Sequence, residues 1–239
     1  MRIWSGPNKG YRWSLLTRTS FIRGTYEAER CDLLADLLAP GQVFWDVGAH
    51  YGYTALLGAR RVGPGGSVYA FEPNPENIWW LRWHIFWNEL TIAHSYQQAL
   101  ADATGYEEFA IKGSGTGYLG PGCTRVRVET VDNLVNRRSH LPPDLMKIDV
   151  EGSEVRLLEG AKETLAAFRP KLLIATHSPE LHEACRSRLI SLDYEVIEPN
   201  RLESARKCGW HSVSPEPEIL CFDPNDAPPD ELVRRFIRS

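Results

Sequence analysis

From Val43 onward the chain alternates short apolar runs with helical stretches, and this rhythm constrains the fold more than any other feature. VFWDV at 43–47 is closed by a glycine loop, and TALLGARRV at 54–62 has helical spacing. The turn GPGG leads to the apolar run SVYAFEP at 67–73. Asn74 and Pro75 then have the chemistry of a helix N-cap and first helical position, where a missing N–H is harmless. The rhythm returns with DLMKIDV at 144–150, a helix over 153–168, the run KLLIATH at 171–177 and a helix over 179–192. Strands alternating with helices bury both faces of a mostly parallel sheet. YEVIE and PEILCF read as a closing antiparallel pair.

The other segments carry weaker patterns. Residues 1–24 mix aromatics with Gly and Arg and read as an N-terminal hairpin or lid. In TYEAERCDLLADLLAPG, Leu33, Leu34, Leu37 and Leu38 repeat at helical spacing until Pro40-Gly41. The helix after Asn74 carries Trp79, Trp83 and Phe86 on one face, which suits core or partner-facing aromatics better than a substrate platform. A third strand lies within IAHSYQQAL at 92–100. YEEFAIK and TRVRVET alternate like antiparallel partners around GSGTGYLGPG, whose five glycines mark a mobile loop. The division expected is 1–24, a main domain over 25–223 and a polar, Pro-rich tail over 224–239.

Composition removes several functional classes. Net charge is -4, and the arginines at 125, 127, 137 and 138 are interleaved with acids, so nucleic acid is not an expected partner. No run approaches the roughly 20 apolar residues of a membrane helix. Five cysteines without a CxxC pair, and no apolar leader, fit a reducing cytoplasm and give no closely spaced zinc ligands. A second copy of the chain stays open as a partner.

Ligands of open α/β sheets sit beyond the carboxyl ends of the strands. There the chain has Asp46-Val47-Gly48-Ala49-His50-Tyr51-Gly52-Tyr53-Thr54. Its glycines are spaced G-x-x-x-G rather than G-x-G-x-x-G, which disfavours a dinucleotide pyrophosphate. Gly48 allows the sharp turn and Gly52 a close approach of backbone to ligand. Asp46 beside the loop repels phosphate and favours an amino or sulfonium group. Glu72, at the tip of the next strand, is suited to accept hydrogen bonds from both ribose hydroxyls, and Gln98-Ala99-Leu100 lie where an adenine edge would rest. The loop suits a cationic, phosphate-free nucleoside.

Taken in order, GTYE at 24–27, VFWDVGAHYGYT at 43–54, VYAFEPNPEN at 68–77, QALAD at 98–102, VETVDNL at 128–134, LMKIDVEGSEVRLLEGAKETL at 145–165 and IATH at 174–177 resemble the FkbM-type methyltransferases. The resemblance implies the Rossmann-like class I methyltransferase fold: a mostly parallel seven-stranded sheet with helices on both faces and a closing antiparallel pair. It implies S-adenosylmethionine as cofactor and O-methylation of a sugar, glycolipid or polyketide-like acceptor. Asp46, Gly48 and Gly52 would hold the methionine part, Glu72 the ribose, and Gln98 to Leu100 the adenine. Ala49, His50, Tyr53 and Thr54 of the loop, Pro73 and Asn74 beside Glu72, and Glu27 at the cofactor's amino end complete the set. His50 departs from the Asn usual in the family; both side chains can hydrogen-bond.

Transfer of a methyl group to a hydroxyl needs alignment and removal of a proton. Asp149, Glu151 and His177 follow strands at the expected mouth and are the candidate bases, His177 as a neutral imidazole. Asp149 and His177 could instead share a magnesium ion, but no third acid is evident beside them, and no metal is expected. A nicotinamide-dependent oxidoreductase lacks its glycine signature here and a Tyr-x-x-x-Lys pair. A non-catalytic nucleoside-binding module is disfavoured because the acids at 46 and 72 are present. An N-methyltransferase of bases or proteins would carry an N/D-P-P-Y/F motif where this chain has KIDVEG.

Overall fold

The computed structural model describes residues 1–112, 116–137, 139–200, 202 and 218–238. Gly113, Gly115, Arg138 and Cys208, and most of the segment 200–212 expected to help build the acceptor pocket, lie outside the described residues.

Seven strands form the main sheet: β1 (Val43–Val47), β2 (Ser67–Phe71), β3 (Ala93–Tyr96), β8 (Leu145–Ile148), β9 (Lys171–Ala175), β10 (Glu195–Ile197) and β11 (Glu218–Phe222). Their order is β10-β11-β9-β8-β1-β2-β3. The pairings from β9 through β3 are parallel, whereas β11 runs antiparallel to both β9 and β10. The period-two alternation of a strand explains two cores instead of one. Phe44, Leu145, Leu173 and Leu220 point to one face, against helices α2 (Ala28–Leu37) and α3 (Tyr53–Val62). Trp45, Met146, Leu172 and Ile219 point to the other, against Leu157, Leu158, Leu165 and Leu189. Each such fully buried side chain contributes about 1.5–3 kcal/mol relative to exposure.

Several expectations are revised. The third strand is split: β3 stays in the main sheet, while β4 (Ala99–Leu100) joins β5 (Gly105–Lys112), β6 (Thr116–Leu119) and β7 (Thr124–Glu129) in a separate four-stranded sheet. Thr116–Leu119, within the glycine-rich stretch read as a mobile loop, is strand β6, hydrogen-bonded to β5. Gly117 packs there against the Phe109 ring, where a side chain would collide. The helix expected over 153–168 is two, α6 (Glu154–Glu159) and α7 (Lys162–Phe168), broken at Gly160, where a Cβ would overlap the carbonyl of Ala101.

The termini also pack into the core. Residues 1–24 make one bridge, Arg2 with Arg12, but Ile3, Trp13, Phe21 and Ile22 are buried in the core cluster that holds Phe44. The expected polar tail contains helix α9 (Asp230–Arg238), whose Leu232 and Phe236, at i and i+4, are buried in the same cluster. On helix α4 (Pro75–Trp87), capped by Asn74 as read from sequence, Trp79, Trp83 and Phe86 are exposed rather than core residues. No helix among the described residues is long and apolar enough to cross a membrane.

Candidate active site

A cavity of about 360 Å³ opens at the carboxyl ends of β1, β2, β8 and β9. Parallel strands bring their loops to one edge, so residues distant in sequence converge there.

The loop after β1 begins at Gly48, whose φ of 77° lies in the left-handed region. A Cβ at this position would overlap the carbonyl oxygen of Asp149, so only glycine lets β1 and β8 end side by side. The Gly48 and Ala49 N–H groups both donate to Phe71 O, at 3.0 Å each. The next N–H, from His50, donates to Glu72 Oε2 at 2.7 Å. Glu72 Oε1 accepts from Asn74 N at 2.9 Å and from Asn77 Nδ2 at 3.3 Å. Burial nevertheless outweighs these donors and pushes the Glu72 carboxyl up to about 7.

The buried polar atoms of cavity residues that lack hydrogen-bond partners among the described residues include Gln98 Nε2, His50 Nε2 and the Tyr53 hydroxyl. Gln98 is only 5% exposed. Burial, with the nearby Lys147 and Arg18 charges, lowers His50 to about 4, so the ring is neutral. Buried groups of this kind normally find a partner, and here the space beside them is the cavity.

The same cavity is lined by a charged cluster. His177 Nδ1–H donates to Glu154 Oε1 at 2.6 Å, and its Nε2 lies 3.4 Å from Asp149 Oδ1 and 3.7 Å from Glu151 Oε2. Burial alone would lower the His177 pKa, but the hydrogen bonds and charges of Asp149 and Glu154 raise it to about 11. The neutral imidazole expected from the sequence is therefore a cation in this arrangement. Asp149 Oδ2 faces Arg30 at 3.2 Å and Lys147 at 3.5 Å. Burial raises the Asp149 pKa, and Lys147, His177 and Arg30 together hold it well below the usual range. Arg30 also pairs with Glu27, at 2.6 Å, and with Glu218.

Of the residues expected at the site, Glu27, Gly48, Ala49, His50, Tyr53, Thr54, Glu72, Pro73, Gln98, Ala99, Leu100, Asp149, Glu151 and His177 line the cavity. Asp46, Gly52 and Asn74 are not among its lining residues. Asp46 is fully buried; its Oδ2 accepts from the Thr54 hydroxyl at 2.5 Å and its Oδ1 lies 3.4 Å from Lys147 Nζ. Thr54 and Lys147 are the partners its carboxylate meets in these contacts. A Cβ on Gly52 would overlap Leu81, so that glycine serves the packing of α4 on α3 rather than ligand approach. Asn74 accepts from Glu76 N at 2.9 Å as the cap of α4.

Arg30, Lys147 and Glu154 were missed in the sequence, as were Phe109 and Leu119 of the second sheet. Signals existed for two. Arg30 shares a helical face with Leu33, Leu34 and Leu37, and Lys147 interrupts the apolar run LMKI. The third acid thought absent beside Asp149 and His177 is Glu151, turned toward them by a left-handed backbone with φ of 53°.

Residues 46–196 match the methyltransferase FkbM domain. The chain belongs to the FkbM methyltransferase family. The hexuronic acid methyltransferase AglP of Haloferax volcanii is 28% identical over 148 residues, covering 60% of this chain. The aligned region spans 59% of that relative's length. Among solved structures, methyltransferase FkbM from Methylobacillus flagellatus KT superposes with a TM-score of 0.56 at 18% identity, over 76% of this chain and 43% of that one. The fibrillarin of Aeropyrum pernix, crystallised with S-adenosyl-L-methionine, gives a TM-score of 0.51 at 15% identity, over 82% and 76%. At such identities the likeness is one of fold, and the FkbM chain described here has the class I methyltransferase fold.

Proposed function

We propose that this FkbM-family chain transfers a methyl group from S-adenosylmethionine to a hydroxyl of a sugar-like acceptor. The observation that carries the proposal is one cavity that brings together buried polar atoms without partners among the described residues and the carboxylates of Glu27, Asp149 and Glu151.

The residues present fit the cofactor. Gln98 Nε2 and His50 Nε2 are buried polar atoms without partners among the described residues, as a bound nucleoside would require. Glu72, with Pro73 beside it, would take the ribose hydroxyls; its oxygens accept three protein donors and have lone pairs left for more. Gln98, Ala99 and Leu100 would flank the adenine. Gly48, Ala49 and His50 would hold the methionine part, with Tyr53 and Thr54 at the head of α3 supporting the loop. Glu27, anchored by Arg30, would face the amino end. Asp46, Gly52 and Asn74 act by shaping the two loops. When bound, the cofactor supplies a sulfonium methyl group that an oxygen nucleophile displaces in line.

The chain's own contribution is positioning and charge. Asp149, Glu151 and His177 meet at the mouth and hold the acceptor hydroxyl, with Glu151 the most open of the three at 41% side-chain exposure against 22% and 8%. The hydroxyl proton leaves toward these carboxylates, an effect of about 10²–10⁴ in rate. The hexuronic acid named for the Haloferax relative supports a sugar acceptor of small-molecule size.

Isothermal calorimetry with S-adenosylhomocysteine tests the cofactor half. One site per chain is expected, with no heat from NAD; no heat from either S-adenosylhomocysteine or S-adenosylmethionine would sink the proposal. Incubation with radiolabelled S-adenosylmethionine and a panel of sugars and glycolipids then tests the acceptor class.

A further inference from the structure

We propose that Asp149, Glu151 and His177 form a binding site for a single divalent cation of the Mn2+ type, which holds the acceptor hydroxyl at the cavity mouth. The ion's role toward the acceptor rests on the proposed methyl transfer; its binding does not.

The first support is geometry. The three side chains each turn one ligand atom to a common point, and these atoms lie within 4.8 Å of one another. His177 Nε2 is 3.4 Å from Asp149 Oδ1 and 3.7 Å from Glu151 Oε2. Adjacent ligands of an octahedral ion with bonds near ~2.1 Å stand about 3 Å apart, so small side-chain rotations close the site. All three residues line the cavity, which gives an ion and an acceptor the same entrance. One imidazole with two carboxylates is a donor set of mixed hardness, suited to Mn2+ with water completing the shell.

The second support is how the ligands are fixed. Metal-bound histidines commonly give their other ring nitrogen to a carboxylate, which sets tautomer and orientation. His177 Nδ1–H donates to Glu154 Oε1 at 2.6 Å, leaving Nε2 toward the acids, and the Nε2 proton passes to water as the ion takes its place. Asp149 is likewise split: Arg30 and Lys147 sit on Oδ2, so Oδ1 is the oxygen turned to the cluster. Glu151 reaches the point through a left-handed backbone at φ 53°, a conformation unusual outside glycine.

The third support is charge. Glu27, Asp46, Asp149, Glu151, Glu154 and Glu218 form a linked group with Arg30, Lys147 and His177. Glu154 is 0% exposed, and its Oε2 has no hydrogen-bond partner among the described residues. Six carboxylates, three of them buried, face three cations, and a dication answers that excess of negative charge more fully than one imidazolium. Bound ion would polarise the acceptor O–H, whose proton passes to water or to the oxygen of Glu151 not on the ion; no redox partner is involved.

The test is a Mn2+ titration followed by electron paramagnetic resonance, on the full chain with and without S-adenosylhomocysteine. One Mn2+ per chain is expected. Glu151→Gln, at a partly exposed site that tolerates the change, should weaken it at least about tenfold, and Glu154→Gln by about 10–100-fold through the orientation of His177. Glu195→Gln, on exposed β10, should leave it unchanged. Circular dichroism checks that each variant is folded. The proposal is overturned if no Mn2+ binds in either state, which leaves His177 as the cluster's own counter-ion, or if Glu151→Gln binds Mn2+ like the native chain. S-adenosylhomocysteine heat without Mn2+ binding removes only the ion; Mn2+ binding without that heat removes only the methyl-transfer proposal.

Discussion

Glu72 gives the most quantitative handle on the proposed cofactor site. Its carboxyl is 5% exposed and titrates at about 7, against an ordinary value of 4.5, because burial outweighs its three N–H donors. A raised carboxyl pKa in the folded state means that the folded chain binds more protons than the unfolded one between those values. Stability from this group is therefore fully present below pH 4.5 and is lost as pH rises through about 7. At ~1.4 kcal/mol per pH unit the interval amounts to about 3 kcal/mol. Glu72→Gln removes the titration while turning one acceptor oxygen into a donor that opposes His50 N or Asn74 N, a pH-independent loss of about 1–3 kcal/mol. Urea unfolding of both proteins from pH 4.5 to 8 isolates the effect, since every other titrating group cancels in the difference. Native minus variant stability should fall by about 3 kcal/mol across that range. Saturating S-adenosylhomocysteine should flatten the native curve, because hydroxyl donors favour the ionised carboxylate. A difference that does not change with pH would refute the electrostatic account of Glu72.

Two further outcomes follow from the same physics. Gly48→Ala forces a Cβ into left-handed backbone and onto the Asp149 carbonyl, and should lose at least about 1–2 kcal/mol in urea unfolding together with S-adenosylhomocysteine binding; an unchanged midpoint would contradict the close approach of β1 and β8. Arg30→Leu leaves Glu218, 1% exposed, without its guanidinium partner and should destabilise by about 3–5 kcal/mol. Adding Glu218→Leu should recover much of that loss, and its failure to do so would show that Arg30 acts by packing instead.

The sheet was legible because its evidence is local and periodic. Apolar runs such as VFWDV, LMKI and KLLIA are too uniformly buried to be anything but central strands, and Asn74-Pro75 carries its helix start in two side chains. Positions at strand ends were also legible: Glu72, Gln98, Asp149 and His177 follow from the rule that loops at one sheet edge converge. The second sheet was harder. Thr116–Leu119 has glycine-rich composition, and its strand form comes from pairing with β5, a contact with no local signature. The same applies to Leu232 and Phe236, two apolar residues in a polar tail that gain meaning only from the core they meet.

Sequence by itself determined the alternating α/β order and that Glu72, Asp149 and Glu151 follow strands whose loops converge, since both depend on short-range period and chain direction. Only the tertiary structure decided what those acids do. Asp46 is held by the Lys147 ammonium and the Thr54 hydroxyl, burial pushes Glu72 up to about 7, and His177 is gripped among Asp149, Glu151 and Glu154. The reason is physical: a residue's type fixes which charge it can carry, but the partners and the water around it fix which charge it keeps.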